Sequence, residues 1–128
     1  MTTPHGYFHW NELGTTDVET AKKIYAEAAG WTFNSMDMDD GTTYWVAMDG
    51  ETPICGLFTM PPEMAADVPE HWIAYISIDD VDAAVDKAKA HGMTLMRDIF
   101  DVDGVGRIAM LKQPDGAMIG WMTPAEEG

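Results

Sequence analysis

Glu12 is the acidic residue whose sequence neighbours best suit acid–base chemistry. Phe8 and Trp10 precede it at two-residue spacing, so the three side chains share one face if residues 8–13 form a strand. Desolvation among aromatic neighbours raises the pKa of a carboxyl group, and such a group can act as a general base. We therefore predict Glu12 as the catalytic residue. Pairing of its carboxylate with Arg107 or with backbone N–H groups is the alternative.

Further candidate binding residues lie in the second half of the chain. A strand predicted over residues 72–78 places Ile73 and Tyr75 on one face and Trp72 on the other, apolar face, which suits packing under helices. Arg107 begins a later strand, where it could reach an anionic group of a ligand or pair with an acid. Aromatic walls with a few polar groups are typical of small-molecule sites, although Trp10 and Tyr75 could instead simply fill space. The predicted substrate-binding residues are Phe8, Trp10, Glu12, Ile73, Tyr75 and Arg107.

The overall charge excludes several classes of partner. The 128 residues carry 22 acidic side chains against seven Lys and Arg, a net charge of −15. Such a field repels phosphate backbones and anionic headgroups, so we expect neither nucleic-acid nor membrane binding. No apolar run is long enough to span a bilayer, no signal-peptide pattern opens the sequence, and Cys55 is the only cysteine. A cytoplasmic protein is expected. The acidity itself indicates either a solvated surface or a binder of cationic small molecules.

Two similar helix patterns indicate an internal duplication. The first begins at a capping box, Thr16 to Glu19, and the second at Asp79 as the predicted N-cap. The landmark pairs Asp17 and Asp80, Gly30 and Gly92, and Gly56 and Gly120 are 63, 62 and 64 residues apart. A nearly constant offset across three landmarks is typical of a duplicated unit.

Strand signals surround both helices and complete the unit. After the first helix we predict strands over about 31–38, 43–49 and 53–60, and after the second over about 93–101, 105–112 and 117–122. Asp-Gly and Pro-Asp-Gly turns separate them, including Asp39-Asp40-Gly41 and Asp103-Gly104. The prediction is one α+β domain over residues 1–128, made of two tandem βαβββ units. The units cover about 6–60 and 71–123, and a proline-bearing linker covers about 61–70.

This arrangement resembles the glyoxalase/bleomycin resistance/dioxygenase (vicinal oxygen chelate) superfamily, and within it a glyoxalase-like subgroup. The resemblance covers residues 6–123. It implies a curled mixed sheet, a cup, with the helices outside and a ligand site within, and it implies a homodimer as a common assembly. The segments that carry it are Glu12–Asp17, Ala21 to Trp31, His71–Tyr75, Asp79–Val81, Gly104–Arg107 and Gln113–Ala117.

The family's usual metal ligands are missing at most of the matching positions. The resemblance implies four ligands, normally His or Gln on the first strand of each unit and Glu on the last. The last-strand positions match Gly56 and Gly120, and the first-strand position of the second unit matches Ile73. The remaining position falls at Phe8, His9 or Trp10, depending on where a gap is placed, which also leaves open which face of that strand lines the cup. We expect the two glycines to leave room for a bulkier ligand or for water.

The sequence therefore predicts a superfamily member that binds a small organic molecule in the cup without a cofactor or the usual divalent metal. Whether the chain sequesters that molecule or converts it stays open. The alternative is a divalent-metal-dependent lyase, isomerase or dioxygenase with displaced ligands. Its ligand set would be His9, Glu12 and His71.

Overall fold

The computed structural model describes residues 3–38, 41–102 and 105–125. The predicted turn residues Asp39, Asp40, Asp103 and Gly104 lie outside the described residues. The helices and strands, in chain order, are β1 (Phe8–Thr15), α1 (Val18–Ala29), β2 (Thr32–Asp37), β3 (Thr43–Asp49), β4 (Thr52–Thr59), α2 (Pro62–Ala65), β5 (His71–Ser77), α3 (Val81–Lys89), β6 (Thr94–Leu95), β7 (Phe100–Val102), β8 (Gly106–Lys112) and β9 (Met118–Pro124).

The chain divides by its contacts into two compact units. The first unit is residues 10–73, and the second comprises the residues up to His9 together with those from Ala74 onward. The predicted order of one strand, one helix and three strands is observed in each half. In the second half, the strand predicted directly after the helix is divided into two short strands, β6 and β7. The α+β class is confirmed. No helix in the described ranges is long and apolar enough to cross a membrane.

In the first unit, one sheet face packs against α1 and the other carries the polar candidates. The strand order is β2-β3-β4-β1, in which β1 and β4 run parallel and the other neighbours antiparallel. Side chains alternate between the faces of a strand, so the buried residues of the helix-covered face are those of odd number. That core comprises Leu13, Ala47, Cys55 and Leu57 of the sheet and Ala21 of α1.

The second unit repeats this plan with a different outer strand. Its strand order is β5-β9-β8-β6, with β7 also paired to β8, and β5 and β9 run parallel. The prediction of one strand over 93–101 is wrong, because the residues between Leu95 and Phe100 form no strand. Asp98 in this gap is a poor strand former, and Arg97 lies 3.9 Å from the centre of the Phe100 ring. The buried core of this unit comprises Val81, Val85 and Ala88 of α3 with Ala109 and Leu111 of β8.

Both helices begin one residue later than the sequence pattern predicts. Asp17, not Thr16, caps α1 by accepting a hydrogen bond from the backbone N–H of Thr20, and Asp80, not Asp79, caps α3 in the same way. An aspartate oxygen reaches the third helical N–H from the cap position, which satisfies a donor that the helix leaves without a partner. The equivalent caps preserve the offset of the duplication.

Glu70 fastens the linker to the turn between β1 and α1. One of its carboxylate oxygens accepts hydrogen bonds from the Thr16 N–H at 2.8 Å, the Thr16 hydroxyl at 2.8 Å and the Thr15 hydroxyl at 3.0 Å. These bonds lower the pKa of Glu70, the backbone N–H of Thr16 contributing most. Because the ionised form is favoured in the folded chain, the bonds stabilise the fold above the ordinary pKa of a glutamate and cease to do so as the pH falls.

We predict that Glu70→Gln lowers the urea midpoint of unfolding at pH 7. The variant loses a charged acceptor of three hydrogen bonds, whereas Glu27→Gln, on the exposed face of α1, serves as a control with little effect. The difference in urea midpoint between wild type and Glu70→Gln should become smaller at about pH 4, where glutamates begin to protonate. A gap that widens on acidification would contradict this role for the carboxylate.

We predict that the Cys55 thiol is unreactive in the folded protein. Its side chain is 2% exposed, and burial raises its pKa to about 11. Because the thiolate is the reactive form, modification by a disulfide reagent at pH 8 should be about a hundredfold slower in buffer than in strong denaturant. Rapid release of the reagent's thiolate from native protein would show that the thiol is accessible.

Candidate active site centred on Glu12

A chain of hydrogen bonds leads to the Glu12 carboxylate. The indole N–H of Trp10 donates to the Tyr44 hydroxyl at 3.0 Å, and that hydroxyl donates to Glu12 Oε2 at 2.7 Å. All three side chains are half-buried and belong to the first unit. The structure therefore brings two predicted site residues, Trp10 and Glu12, to one polar centre and adds Tyr44, which the sequence reasoning did not include.

The direction of this chain follows from the chemistry of its members. An indole N–H can only donate, so the Tyr44 oxygen must accept from Trp10. The single phenolic proton is then directed at Glu12, and a carboxylate accepts it. Tyr44 thus orients the Glu12 side chain through its own fixed position, without contributing a charge.

Gly56 makes room for the Tyr44 hydroxyl. Glu12 and Val46 are both register partners of Gly56, and Tyr44 lies two residues before Val46, so its side chain points to the same face. A Cβ atom at position 56 would collide with the Tyr44 hydroxyl and ring. The expected room beside this glycine is therefore taken by a side chain of the protein itself.

Two further rings lie beside the centre, over Gly14. A Cβ at position 14 would stand 2.9 Å from Phe58 Cζ and 3.3 Å from His71 Cε1. Gly14 and Phe58 are register partners, and Phe58 is half-buried. Nδ1 of His71 lies 2.8 Å from the carbonyl oxygen of Pro69, which orients its ring. The Glu12 face, defined as Trp10, Glu12, Tyr44 and Phe58, therefore combines one carboxylate with three aromatic side chains.

In the second unit, the ring of Tyr75 lies over Gly120. Tyr75 and Gly120 are register partners, and a Cβ on Gly120 would collide with the Tyr75 ring. Tyr75 is 4% exposed. Its ring occupies the space that was expected to hold a ligand or water, and Met110, Met122 and Ser77 lie on the same face.

The remaining predicted residues lie in different surroundings. Phe8 is 67% exposed and Ile73 is 3% exposed. Arg107 donates to Asp82 of α3 at 2.7 and 3.0 Å and to Asp101 at 2.9 Å, which raises its pKa further above its ordinary range. These ion pairs lie on the face of β8 that packs against α3, and they match the ion-pair alternative for Arg107, although its partner is not Glu12.

Comparison with known proteins identifies the family. Residues 7–120 match the family model described as the Glyoxalase/Bleomycin resistance protein/Dioxygenase superfamily. The chain belongs to this superfamily. The resemblance inferred from the sequence is thereby confirmed.

Sequence relatives of this superfamily member are longer than the chain itself. A Mycobacterium tuberculosis protein named "Putative glyoxylase CFP32" is 35% identical over 114 residues, which cover 88% of this chain and 43% of that protein. The "Anthracycline biosynthesis protein DnrV" of Streptomyces peucetius is 27% identical, over 93% of this chain and 48% of its own length. The chain thus spans less than half the length of these relatives.

Solved structures of the superfamily share the fold. Methylmalonyl-CoA epimerase from Mycobacterium tuberculosis superposes with a TM-score of 0.64 at 15% identity, covering 98% of this chain and 94% of the epimerase. At this identity the likeness shows the fold alone.

The described residues do not fit the four-ligand metal site that this superfamily implies. Gly56 and Gly120 have no side-chain donor, and tyrosines fill the space beside them. Ile73 is apolar and buried. His9 and Glu12 are three residues apart on β1, so their side chains point to opposite faces, and Nδ1 of His9 lies 2.7 Å from the Thr3 hydroxyl. Across residues 3–38, 41–102 and 105–125, no three His, Cys, Asp or Glu side chains are grouped closely enough to hold a metal ion.

We predict that Gly56→Ala destabilises the protein by about 1–3 kcal/mol, because the added methyl group must displace Tyr44 from its bonds with Trp10 and Glu12. The free energy of unfolding in urea measures this loss. In a Tyr44→Ala background, the same change at position 56 should have little effect, because the colliding ring is gone. Equal losses in both backgrounds would show that the two positions are not coupled.

Proposed function

We propose that this superfamily member binds a small organic molecule at the Glu12 face, without the family's four-ligand metal site. The observation that carries the proposal is the chain from Trp10 through Tyr44 to Glu12. It presents an oriented carboxylate among aromatic side chains, a combination typical of small-molecule sites. Phe58 extends the aromatic surface beside it.

The comparisons support a small-molecule function without naming the molecule. The relatives and structural neighbours include an anthracycline biosynthesis protein and methylmalonyl-CoA epimerases, whose names refer to small organic compounds. For the present chain, the ligand class has to come from its own residues, because a fold likeness at 15% identity does not transfer a substrate.

Glu12 is the proposed general base if the ligand is also converted. A general base must lie within hydrogen-bond reach of the proton it takes, and its position must be fixed. The Tyr44 hydroxyl fixes Glu12 from one side at 2.7 Å. Tyr44 acts through Glu12 and is therefore a positioning residue. Cytoplasmic location and a homodimer complete the proposal.

The test is a thermal-shift screen of aromatic metabolites and drugs, followed by calorimetry of the hits, on protein purified without chelator. We expect binding to survive treatment with a chelator. Glu12→Gln should weaken it about tenfold or more, because a hydrogen bond to a charged group contributes about 1.5–3 kcal/mol. Glu27→Gln, an exposed acid on α1, is the control and should bind as wild type does.

Elemental analysis of the same preparation tests the metal-dependent alternative. A stoichiometric divalent ion that is lost in His9→Ala and Glu12→Ala would support the metal-dependent lyase, isomerase or dioxygenase instead. A screen without hits on folded protein would also overturn the proposal.

A further inference from the structure

We infer that His71 is a specificity-determining residue beside the Glu12 face, where its Nε2 atom accepts a hydrogen bond from a hydroxyl or N–H group of the ligand. This inference rests on the proposed function and narrows it to ligands that carry such a donor next to an aromatic or apolar group. Ligands that present only acceptors at this place, such as ethers and esters, are disfavoured.

The tautomer of the imidazole ring is the first argument. Nδ1 of His71 lies 2.8 Å from the carbonyl oxygen of Pro69. A carbonyl oxygen can only accept, so the proton of this hydrogen bond belongs to Nδ1. In the neutral ring, Nε2 therefore carries a lone pair and is an acceptor. Among the residues that the structure describes, none donates a hydrogen bond to Nε2, so the fold does not use this lone pair.

The position of the ring is the second argument. A Cβ atom at position 14 would stand 3.3 Å from Cε1 of His71, and Nε2 is bonded to Cε1. Gly14 follows Glu12 by two residues on β1, so the His71 ring lies on the same face of this strand as the Glu12 side chain. The Phe58 ring shares the space over Gly14. His71 and Phe58 are half-buried, so an acceptor and an aromatic ring are both partly accessible at one place.

The fixed position of His71 is the third argument. The preceding residue, Glu70, accepts three hydrogen bonds from Thr15 and Thr16, directly after Gly14. The Pro69 carbonyl then holds the ring itself through Nδ1. A group that is already fixed loses little conformational freedom when a ligand binds, so it contributes more to recognition than a mobile surface histidine does. The structural bond uses Nδ1 alone, which leaves Nε2 for a separate role.

Phenol and anisole test the inference, because the phenol hydroxyl can donate a hydrogen bond and the anisole oxygen can only accept one. Binding of each to the full chain is measured at pH 8, above the ordinary titration range of histidines, from the Cε1–H proton resonance of His71. In variants without His71, the indole N–H resonances of the tryptophans report binding. The measured quantity is the ratio of the anisole to the phenol dissociation constant.

The substitution His71→Asn separates the two ring nitrogens. The asparagine amide can still donate to the Pro69 carbonyl in place of Nδ1, but the variant has no atom equivalent to Nε2. We expect the dissociation-constant ratio to fall about fivefold in this variant, because that factor corresponds to one neutral hydrogen bond of typical net strength. His91→Asn, an exposed histidine just after α3, is the matched control and should keep the wild-type ratio. Circular dichroism confirms that both variants are folded.

A second measurement needs no substitution. The ¹⁵N chemical shift of Nε2 in the wild-type protein should change on addition of phenol and stay constant on addition of anisole, while that of Nδ1 changes with neither. A purely structural histidine would not show this difference between its two nitrogens.

The outcomes distinguish this inference from the proposed function. An unchanged ratio in His71→Asn, an equal fall in His91→Asn, an Nε2 shift that is the same with both probes, or no binding of phenol overturns the role of His71. Each of these results leaves the small-molecule site itself to be decided by its own screen and by Glu12→Gln.

Discussion

The Tyr44 hydroxyl can reach Glu12 only because position 56 has no side chain. The register of β1, β3 and β4 brings Glu12 and Tyr44 to the same face above Gly56, and any Cβ there would occupy the place of the phenol oxygen. A single missing methyl group therefore determines the geometry of the candidate site. It determines the hydrogen bonding as well, because the Tyr44 hydroxyl directs its proton at the Glu12 carboxylate.

In both units a tyrosine ring fills the space over a strand glycine, but the ring comes from a different strand in each. In the first, the ring over the glycine comes from β3 and ends in a hydroxyl that takes part in a hydrogen-bond chain. In the second, the ring over Gly120 is that of its direct register partner, Tyr75 of β5, and the neighbouring side chains are methionines. The duplicated architecture is thus shared, while the tyrosine that fills the space over the glycine comes from a different strand in each unit.

Periodicity and turn residues were sufficient to predict the order of elements. Helix periods, helix-ending glycines and a constant offset predict the duplicated unit, and the superfamily was suggested by the resemblance of the segments that surround them. The caps were misplaced by one residue, since Thr16 and Asp17 are both good capping residues and only the backbone decides which oxygen reaches the third N–H. The prediction of one strand over 93–101 was wrong because the hydrophobic residues on both sides of Arg97-Asp98 were taken as one continuous strand.

The site was harder to predict, because it depends on pairs that are distant in the sequence. Glu12 and Trp10 were found from their two-residue spacing, but Tyr44 lies more than thirty residues away and becomes relevant only through strand register. A usable signal did exist. Gly56 is a strand glycine without a turn to explain it, and such a glycine often marks a place where another group approaches closely. Arg107 was predicted to contact a ligand from its position in the sequence alone. In the structure it forms ion pairs with Asp82 of α3 and Asp101 of β7.

The Tyr44–Gly56 pair also constrains how this protein can evolve. A glutamate introduced at position 56 alone would collide with the Tyr44 ring, and a small residue introduced at position 44 alone would remove the hydroxyl that holds Glu12. Either order of mutation passes through a protein worse than its parent. Positions 44 and 56 are therefore expected to change together, because a larger residue at position 56 needs the space that the Tyr44 ring occupies.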